Sequence, residues 1–273
     1  MSTVTVLRQS PATKPPPRDY LSYSAVSTYQ RCPLQYFFRY VAGLPEATVS
    51  ANLVFGSSIH RGAEHHYREL LAGCEPPTLD ALLGEFNAAW QSYNPAAIRF
   101  GKGKGREELA SLAQRMLAAF QASDLARPQG TIIGVEEELR GQIVPGCPDL
   151  LGRIDLIVET RRELEITDLK TAHSRWSRGQ VEESAGQLLL YHELARGLAP
   201  RKALRLRFAV LTKTKQPTLD VHEVASDRRQ IDRMKRIVER VWRAISNRHF
   251  YPAPSAANCS GCPFRAPCRG WRG

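Results

Sequence analysis

Four cysteines at opposite ends of this 273-residue chain constrain its fold more than any other feature. Cys259, Cys262 and Cys268 are close enough in sequence to bind one metal centre, but no second CxxC or HxxxH pair nearby completes the site. A fourth ligand must come from elsewhere, and Cys32, beside Pro33, has the same proline-bounded context as the tail. The spacing therefore predicts a metal centre that joins the two ends of the folded chain.

The remaining cysteines are less suitable as ligands. Cys74 ends a helical run and Cys147 lies in a proline-flanked loop, so both are interpreted as packing or loop residues. The tail has two other interpretations, a zinc knob or, in a secreted protein, disulfides. No signal peptide or transmembrane run is recognisable, so we expect a cytoplasmic protein with reduced thiols. Spacing alone leaves zinc and an iron–sulfur cluster equally open.

The charge of the chain indicates its partner. A net charge of +11 and an isoelectric point near 9.6 favour a polyanion, most commonly nucleic acid, although a solvated basic surface is the alternative. The length fits one domain with an insertion. Residues 1–19 are rich in proline and are expected to form a disordered leader, so the predicted domain spans 20–273.

Several helices are predicted in the first half of the chain. The aromatic stretch 34–40 is interpreted as core packing beside the metal site, with base stacking as the alternative. A helix that starts after residues 55–58 would put His60 in its first turn, where the helix N-terminus keeps the imidazole neutral. Residues of about 77–125 form a helical insertion whose loop, 99–106, lacks the spacing of a P-loop.

Alternating patterns predict strands after this insertion. Residues 131–140 form one strand, and 150–159 with 163–171 form a hairpin. Asp168 and Lys170 share a face of their strand, and a turn with an even number of residues would put Asp155 opposite Asp168. Two carboxylates in one patch suit Mg²⁺ or Mn²⁺, with Lys170 placed to orient water or stabilise charge. Glu136 and Glu138 share a nearby strand face and are not assigned as ligands.

The last part of the chain completes an α/β pattern. A helix over 182–196 has Gln187 and Tyr191 one turn apart on one face, although a merely amphipathic helix would look the same. Strands are predicted over 204–211 and 218–224, and a long helix over 227–248 leads to the cysteine tail. The pattern predicts a mixed sheet whose crossover helix packs on one face.

These motifs, taken in order, resemble those of RecB-type nucleases of the PD-(D/E)XK superfamily, including the AddB nuclease domain and CRISPR-associated nucleases. The resemblance covers nearly the whole folded chain. It rests on the segments Tyr23–Leu34, Gly56–His60, Gly152–Asp155, Ile166–Thr171, Gln187–Tyr191 and the cysteine tail. The sequence departs from the superfamily's motif in having Arg153 and Ile154 before Asp155, where the family name has Pro-Asp.

The resemblance implies a restriction-endonuclease-like core with a central mixed sheet flanked by helices. It implies His60, Asp155, Asp168 and the Leu169 carbonyl as ligands of Mg²⁺ or Mn²⁺, and Lys170 as the catalytic lysine. Gln187 and Tyr191 would support the site and contact DNA. Binding of a [4Fe-4S] cluster is implied for Cys32, Cys259, Cys262 and Cys268, with the cluster stapling the termini together.

The predicted reaction is metal-dependent hydrolysis of DNA phosphodiester bonds. Exonuclease action on single-stranded ends is favoured over endonuclease action, because an enclosed, insertion-covered site favours threading. The pathway would be DNA repair or recombination, or CRISPR-type DNA processing, with a helicase or a CRISPR or recombination protein as partner. The alternatives are a non-catalytic iron–sulfur DNA-binding subunit of a helicase–nuclease complex and a zinc-stapled structural protein.

Overall fold

A computed structural model describes residues 19–101 and 105–273. The predicted leader, apart from Asp19, and part of the 99–106 loop lie outside the described residues. The strands are β1 (Tyr20–Leu21), β2 (Val49–Ser50), β3 (Ile98–Arg99), β4 (Thr131–Gly141), β5 (Asp149–Glu159), β6 (Glu163–Ala172), β7 (Ala203–Thr212) and β8 (Leu219–Val224). The helices are α1 (Tyr23–Arg31), α2 (Pro33–Tyr36), α3 (Ala51–Leu71), α4 (Leu79–Gln91), α5 (Arg106–Gln121), α6 (Arg178–Ser184), α7 (Gly186–Ala195), α8 (Arg228–Ser246), α9 (Ala256–Cys259) and α10 (Arg265–Arg269).

A six-stranded mixed sheet forms the centre of the molecule. Its order is β1-β5-β6-β7-β8, and β4 pairs with β5. The β4–β5, β5–β6 and β7–β8 pairs are antiparallel, whereas β6 and β7 are parallel and are connected through α6 and α7. The predicted α/β fold, with a central mixed sheet flanked by helices, is therefore confirmed.

The hairpin of β5 and β6 opens into a fork. Backbone pairing between β5 and β6 begins where Glu159 pairs with Leu164 and ends where Leu156 pairs with Thr167. Beyond this point β6 continues to pair with β7 only. The loop closed by the first of these pairs, residues 160–163, has an even number of residues. Asp155 and Asp168 are therefore next to each other in the register, as predicted, but lie where the strands separate.

Helices cover both faces of the sheet. On one face α3, α4 and α5 contribute Phe55, Phe86 and Phe120 to a core that includes Leu156 and Ala209 of the sheet. On the other face, α6 and α7 pack against β6 and β7 through a cluster that includes Val181, Leu188, Ile166 and Phe208. A third cluster joins α1 and α8 to β5 and α7, so α8 lies outside α7.

Two helix boundaries differ from the predicted ones. Helix α3 begins at Ala51, where the Ser50 hydroxyl accepts a hydrogen bond from the Asn52 N–H, so His60 lies in its third turn and the first-turn prediction is wrong. Ser58, which that prediction placed before the helix, lies within it and donates a hydrogen bond to the Val54 carbonyl. The single helix predicted over 182–196 is two helices, α6 and α7, which meet at Ala185.

Candidate active site and cysteine cluster

Three side chains from three elements meet beside the fork. His60 on α3, Glu136 on β4 and Asp155 on β5 each offer a ligand atom, and these atoms lie within 4.8 Å of one another. The His60 Nδ1 is 3.5 Å from the Asp155 Oδ2. The backbone of Leu169 lies beside the imidazole and favours its protonated form, as a carbonyl oxygen would.

The fork explains how Asp155 is oriented. Because β5 and β6 stop pairing at this point, the Leu169 N–H has no partner on β5's backbone. The Asp155 Oδ2 accepts a hydrogen bond from that N–H at 2.6 Å. A buried backbone donor must be satisfied, so the opening of the sheet itself fixes this carboxylate in place.

Glu136 is the residue that the sequence interpretation left out. Its backbone has a φ of 51°, in the left-handed region that side chains other than glycine rarely adopt. Val135 and Glu137 pair with Leu156 and Ile154 in one register, so Glu136 lies opposite Asp155 without being paired to it. The signal in the sequence was a run of three glutamates in a strand, a residue type that strands disfavour.

A chain of hydrogen bonds connects β6 to α7 behind this group. The Lys170 Nζ is 2.6 Å from the Asp168 Oδ2 and donates to the Gln187 Oε1 at 2.8 Å. The Gln187 amide donates to the Asp168 Oδ1 at 2.7 Å and to the Tyr191 hydroxyl at 2.9 Å. One glutamine therefore fixes the orientation of both the lysine and the carboxylate.

Close packing of α7 on β5 holds Tyr191. A Cβ at Gly152 would lie 2.7 Å from the Tyr191 Cε1 and 2.9 Å from the Leu194 Cδ1, distances that real Cβ atoms do not show. The tyrosine ring thus lies directly on the backbone of β5 at Gly152, three residues before Asp155. Glycine at this position allows the helix to bring Gln187 and Tyr191 to the fork.

Burial sets the charge states of the group. Burial, followed by the charge of Asp168, raises the pKa of Asp155 well above its usual value. Burial, followed by the charge of Asp155, raises the pKa of Glu136 to about 7. Burial lowers the pKa of His60, so its ring favours the neutral form. Burial opposes protonation of Lys170, but the contact with Asp168 outweighs it and raises the lysine pKa.

This donor set fits a divalent cation. A neutral imidazole supplies one nitrogen ligand, and two carboxylates supply oxygen ligands. This combination suits Mg²⁺ or Mn²⁺. The raised pKa values of Asp155 and Glu136 show that the protein alone does not compensate two negative charges here. A bound cation would provide the missing compensation.

The group opens into a groove of about 870 Å³. Its lining includes Arg61, Arg68, Arg153 and Lys213, so a polyanion would meet cationic side chains around the acidic centre. Leu53, with 61% of its surface exposed, lies in the same wall. The groove is more open to solvent than the enclosed site that the sequence interpretation assumed.

The four predicted cluster cysteines converge at the other end of α1. Cys32, Cys259, Cys262 and Cys268 line one cavity of about 190 Å³, and all are free thiols. Burial and then the charges of the other three thiolates raise the pKa of Cys268. Cys74 is exposed and Cys147 is buried in a different cluster, so neither reaches the cavity.

The spacing of the thiols can be compared with that of the ligands of a zinc ion. A tetrahedral zinc ion, with Zn–S bonds of about 2.3 Å, holds its sulfurs about 3.8 Å apart. Within residues 19–101 and 105–273, no three of these sulfurs lie within 4.8 Å of one another. No three of the four thiols are therefore as close together as the sulfurs around one tetrahedral zinc ion.

Comparison with known proteins identifies the family. A profile described as the PD-(D/E)XK nuclease superfamily matches residues 20–269. The chain therefore belongs to the PD-(D/E)XK nuclease superfamily, and it is a nuclease of the kind that uses divalent metal ions. No curated protein matches the sequence.

Solved structures share the fold. The crystal structure described as "Putative exonuclease" from Eubacterium rectale has 17% sequence identity and a TM-score of 0.59, and the match covers 93% of this chain and 88% of that one. The structure of SSO0001 has 16% identity over 90% of this chain and 95% of that chain, with a TM-score of 0.37 that is too low to support a comparison. Among the described residues, no helix is both long and apolar enough to span a bilayer.

Proposed function

We propose that this protein is an exonuclease that hydrolyses DNA phosphodiester bonds from single-stranded ends. The observation that carries the proposal is the fork between β5 and β6, where ligand atoms of His60, Glu136 and Asp155 lie within 4.8 Å of one another beside Lys170. A protein that only bound DNA would have no use for buried carboxylates, because these repel phosphate. The non-catalytic subunit is therefore the weaker alternative.

The ligands of the ion would be His60, Glu136, Asp155 and Asp168, with the Leu169 carbonyl beside His60. When bound, Mg²⁺ or Mn²⁺ supplies Lewis acidity and lowers the pKa of a coordinated water. Asp155 is fixed by the Leu169 N–H and does not need to reorganise to bind. Asp168 is held by a hydrogen bond from the Gln187 amide on α7.

Lys170 would be the catalytic cation. Its raised pKa keeps the ammonium charged, so it can donate a hydrogen bond to a phosphoryl oxygen and stabilise negative charge that develops there. Gln187 accepts a hydrogen bond from the same ammonium and positions it. Tyr191 supports Gln187 in turn and lies against β5, so we assign both as positioning residues that also border the DNA strand.

Two observations bear on the choice between exonuclease and endonuclease. The structurally similar protein from Eubacterium rectale is described as a "Putative exonuclease", and this description supports action from ends. The open groove, in contrast, would admit a strand without threading, and this favours an endonuclease as the second candidate. We propose a role in DNA repair, recombination or CRISPR-type processing, where a helicase or another partner would supply the single strand.

We further propose that Cys32, Cys259, Cys262 and Cys268 bind a [4Fe-4S] cluster. Support comes from the cavity that the four thiols share and from the resemblance of their spacing to that of the iron–sulfur branch of the family. The cluster would connect the end of α1 to the segment 250–273 and would take no part in hydrolysis. Residues 20–273 would form a single domain in which about 77–125, with α4 and α5, is an insertion.

The test uses protein purified without oxygen and end-labelled linear single- and double-stranded DNA, with closed circular single-stranded DNA alongside. We expect Mn²⁺ or Mg²⁺ to support hydrolysis of linear single strands and leave the circle intact. Asp168→Ala and Lys170→Ala should each lower the rate at least 100-fold. Asp80→Ala, at an exposed position on α4, is the matched control and should retain the wild-type rate.

The outcomes separate the alternatives. Cleavage of the circle would identify an endonuclease. A wild-type protein that binds DNA but hydrolyses no substrate with either metal would support the non-catalytic subunit. Full activity in Asp168→Ala would show that the fork is not the active site.

A further inference from the structure

We propose that a row of arginines on α8 is a docking surface for the phosphate backbone of the DNA strand. The row, called the arginine stripe, consists of Arg229, Arg233, Arg236, Arg240 and Arg243. The inference rests on the proposed nuclease function and assigns a substrate-binding surface outside the groove of the active site.

The spacing of the stripe matches the helix period. Successive members are four, three, four and three residues apart, so at about 100° per residue they fall within about 80° of the helix circumference. All five side chains are exposed. The stripe is about 21 Å long at about 1.5 Å per residue, a length along which one strand of a duplex places about six phosphates.

The opposite face of α8 fixes which way the stripe points. The buried residues are Ile231, Met234, Val238, Val241 and Ile245, which pack against α1, α7 and the start of β5. They are centred about 160° away from the stripe around the helix axis. Packing of this face therefore directs the arginines to solvent.

The charge of α8 is concentrated. The helix has seven basic and two acidic residues in a stretch of 19 and thus contributes +5 to the total of +11. Ordinary solvated helices intersperse both signs along one face. A single-sign row of this length is instead typical of a surface that meets a polyanion.

Most of the stripe has no acidic partner. Glu239 is 2.9 Å from Arg243, whereas Asp232 is 4.0 Å from Arg228, which is not in the stripe. In the described ranges, no carboxylate is within ion-pair distance of Arg229, Arg233, Arg236 or Arg240. These four guanidinium groups remain available for bidentate contacts with phosphate.

The stripe is connected to the catalytic residues. Arg233 lines a cleft of about 510 Å³ that has Tyr23 in its wall. A Cβ at Gly186 would lie 3.0 Å from the Met234 Sδ and 3.1 Å from the Tyr23 Cε2, so α8, α7 and Tyr23 are in close contact. The charges of Lys170 and Asp168 act on the Tyr23 hydroxyl. Tyr23 therefore borders both the cleft that Arg233 lines and the surroundings of Lys170 and Asp168.

The acidic residues in this cleft do not oppose such a strand strongly. Glu182 pairs with Arg178 at 2.9 Å, and Glu223 pairs with Arg205. Glu183 is exposed to solvent, where its charge is screened. The cleft as a whole is mixed in charge, so the stripe itself is the proposed binding surface.

The test compares two triple variants that lose the same charge. Arg233, Arg236 and Arg240 are changed to Gln in one, and the exposed Arg161, Arg162 and Arg201, at the end of the sheet away from the fork, are changed to Gln in the other. Affinity for a fluorescent single-stranded oligonucleotide is measured by anisotropy without divalent metal, over a series of salt concentrations. Thermal unfolding verifies that both variants are folded.

We expect the stripe variant to bind roughly tenfold more weakly at low salt, and its plot of log K against log salt to be shallower by about 2. The control variant should remain within about twofold of the wild type. A third variant with Lys at the same three stripe positions keeps the charge and should keep most of the slope.

Equal effects of the two Gln variants, or no effect of either, would overturn the proposal. If the stripe variant binds DNA normally, the stripe does not bind DNA, and an acidic protein surface would be its alternative partner. Hydrolysis by the wild-type protein with Mn²⁺ is measured separately. If the wild type binds through the stripe but does not cleave, the nuclease proposal fails while the docking surface stands.

Discussion

Glu136 combines two unfavourable features in one residue. Its left-handed backbone costs about 1–2 kcal/mol, and its carboxylate is largely buried beside Asp155. Strain of this kind persists only where the surrounding structure enforces it, and it is concentrated at functional sites. A cation between Glu136, Asp155 and His60 would offset the repulsion, so both features are consistent with a role as a ligand.

Removal of this carboxylate should have opposite effects with and without metal. The pKa of Glu136 is about 7 in the folded protein, above the usual 4.5. Between these values the folded state binds more protons, so the stability of the metal-free protein falls as pH rises. We expect Glu136→Gln to stabilise the metal-free protein by roughly 1–3 kcal/mol at pH values above about 7 and to have no such effect below about 4.5.

The same variant should bind Mn²⁺ at least tenfold more weakly, because one ligand is lost. Urea unfolding at several pH values and calorimetric titration with Mn²⁺ check the two effects. Glu138→Gln, on the same strand and paired with Arg153 at the surface, is the control and should change neither quantity. Unchanged Mn²⁺ affinity in Glu136→Gln would show that this residue is not a ligand.

At the scale of elements, the site depends on how closely α7 approaches β5. The hairpin register puts Asp155 opposite Asp168, but Lys170 and Asp168 are fixed only through Gln187, which belongs to α7. The position of α7 depends in turn on Gly152, which leaves room for Tyr191. A single glycine on a strand therefore controls the geometry of groups on another element.

Gly152→Ala should displace Tyr191 and Leu194. We expect a loss of about 1–3 kcal/mol in the free energy of unfolding, as for overpacked cores, and a fall of at least tenfold in the rate of DNA hydrolysis. Gly141→Ala is a matched control, because its Cβ would contact Leu194 at an ordinary 3.7 Å. Denaturant unfolding and the cleavage assay are the measurements. Similar results for the two variants would show that α7 accommodates the methyl group.

Over the whole molecule, the cysteine cavity joins segments that are far apart in sequence. Cys32 lies between α1 and α2, and the other three thiols belong to the tail. Phe38, Phe264 and Trp271 pack in the same small cluster, so the tail has an apolar anchor of its own. The cluster is small, and a bound metal centre would provide a long-range crosslink in addition.

Cys268→Ser should release the proposed centre. We expect loss of bound iron and of the visible thiolate-to-iron absorption, with destabilisation of at least about 2 kcal/mol, similar to the loss of a crosslink between distant residues. Iron and sulfide analysis, absorbance and unfolding are the measurements. Cys74→Ser, at an exposed position away from the cavity, should retain all three properties.

Other results would redefine the centre. Stoichiometric zinc in the wild-type protein, without visible absorption, would identify a zinc site. A metal-free Cys268→Ser protein of unchanged stability would show that the fold does not need the centre.

The sequence determined what depends on local spacing. Side chains alternate along a strand and turns set the register of a hairpin, so Asp155, Asp168 and Lys170 were predicted to lie together, and β5 and β6 confirm that register. Gln187 and Tyr191 share a face because of the helix period, and they are hydrogen-bonded to each other. The order of strands and helices along the chain likewise predicted the mixed sheet, because a helix between two strands makes them parallel and a short turn makes them antiparallel.

Only the tertiary structure decided what depends on contacts between distant segments. Glu136, opposite Asp155, has a left-handed backbone that strand alternation does not reveal. The neutral state of His60 comes from burial in the third turn of α3 and not from a helix N-terminus. Cys32 was a candidate from its context, but packing of the tail on α2 brings it to the other thiols. Backbone strain, burial and long-range convergence are properties of the packed chain, and no short window of sequence specifies them.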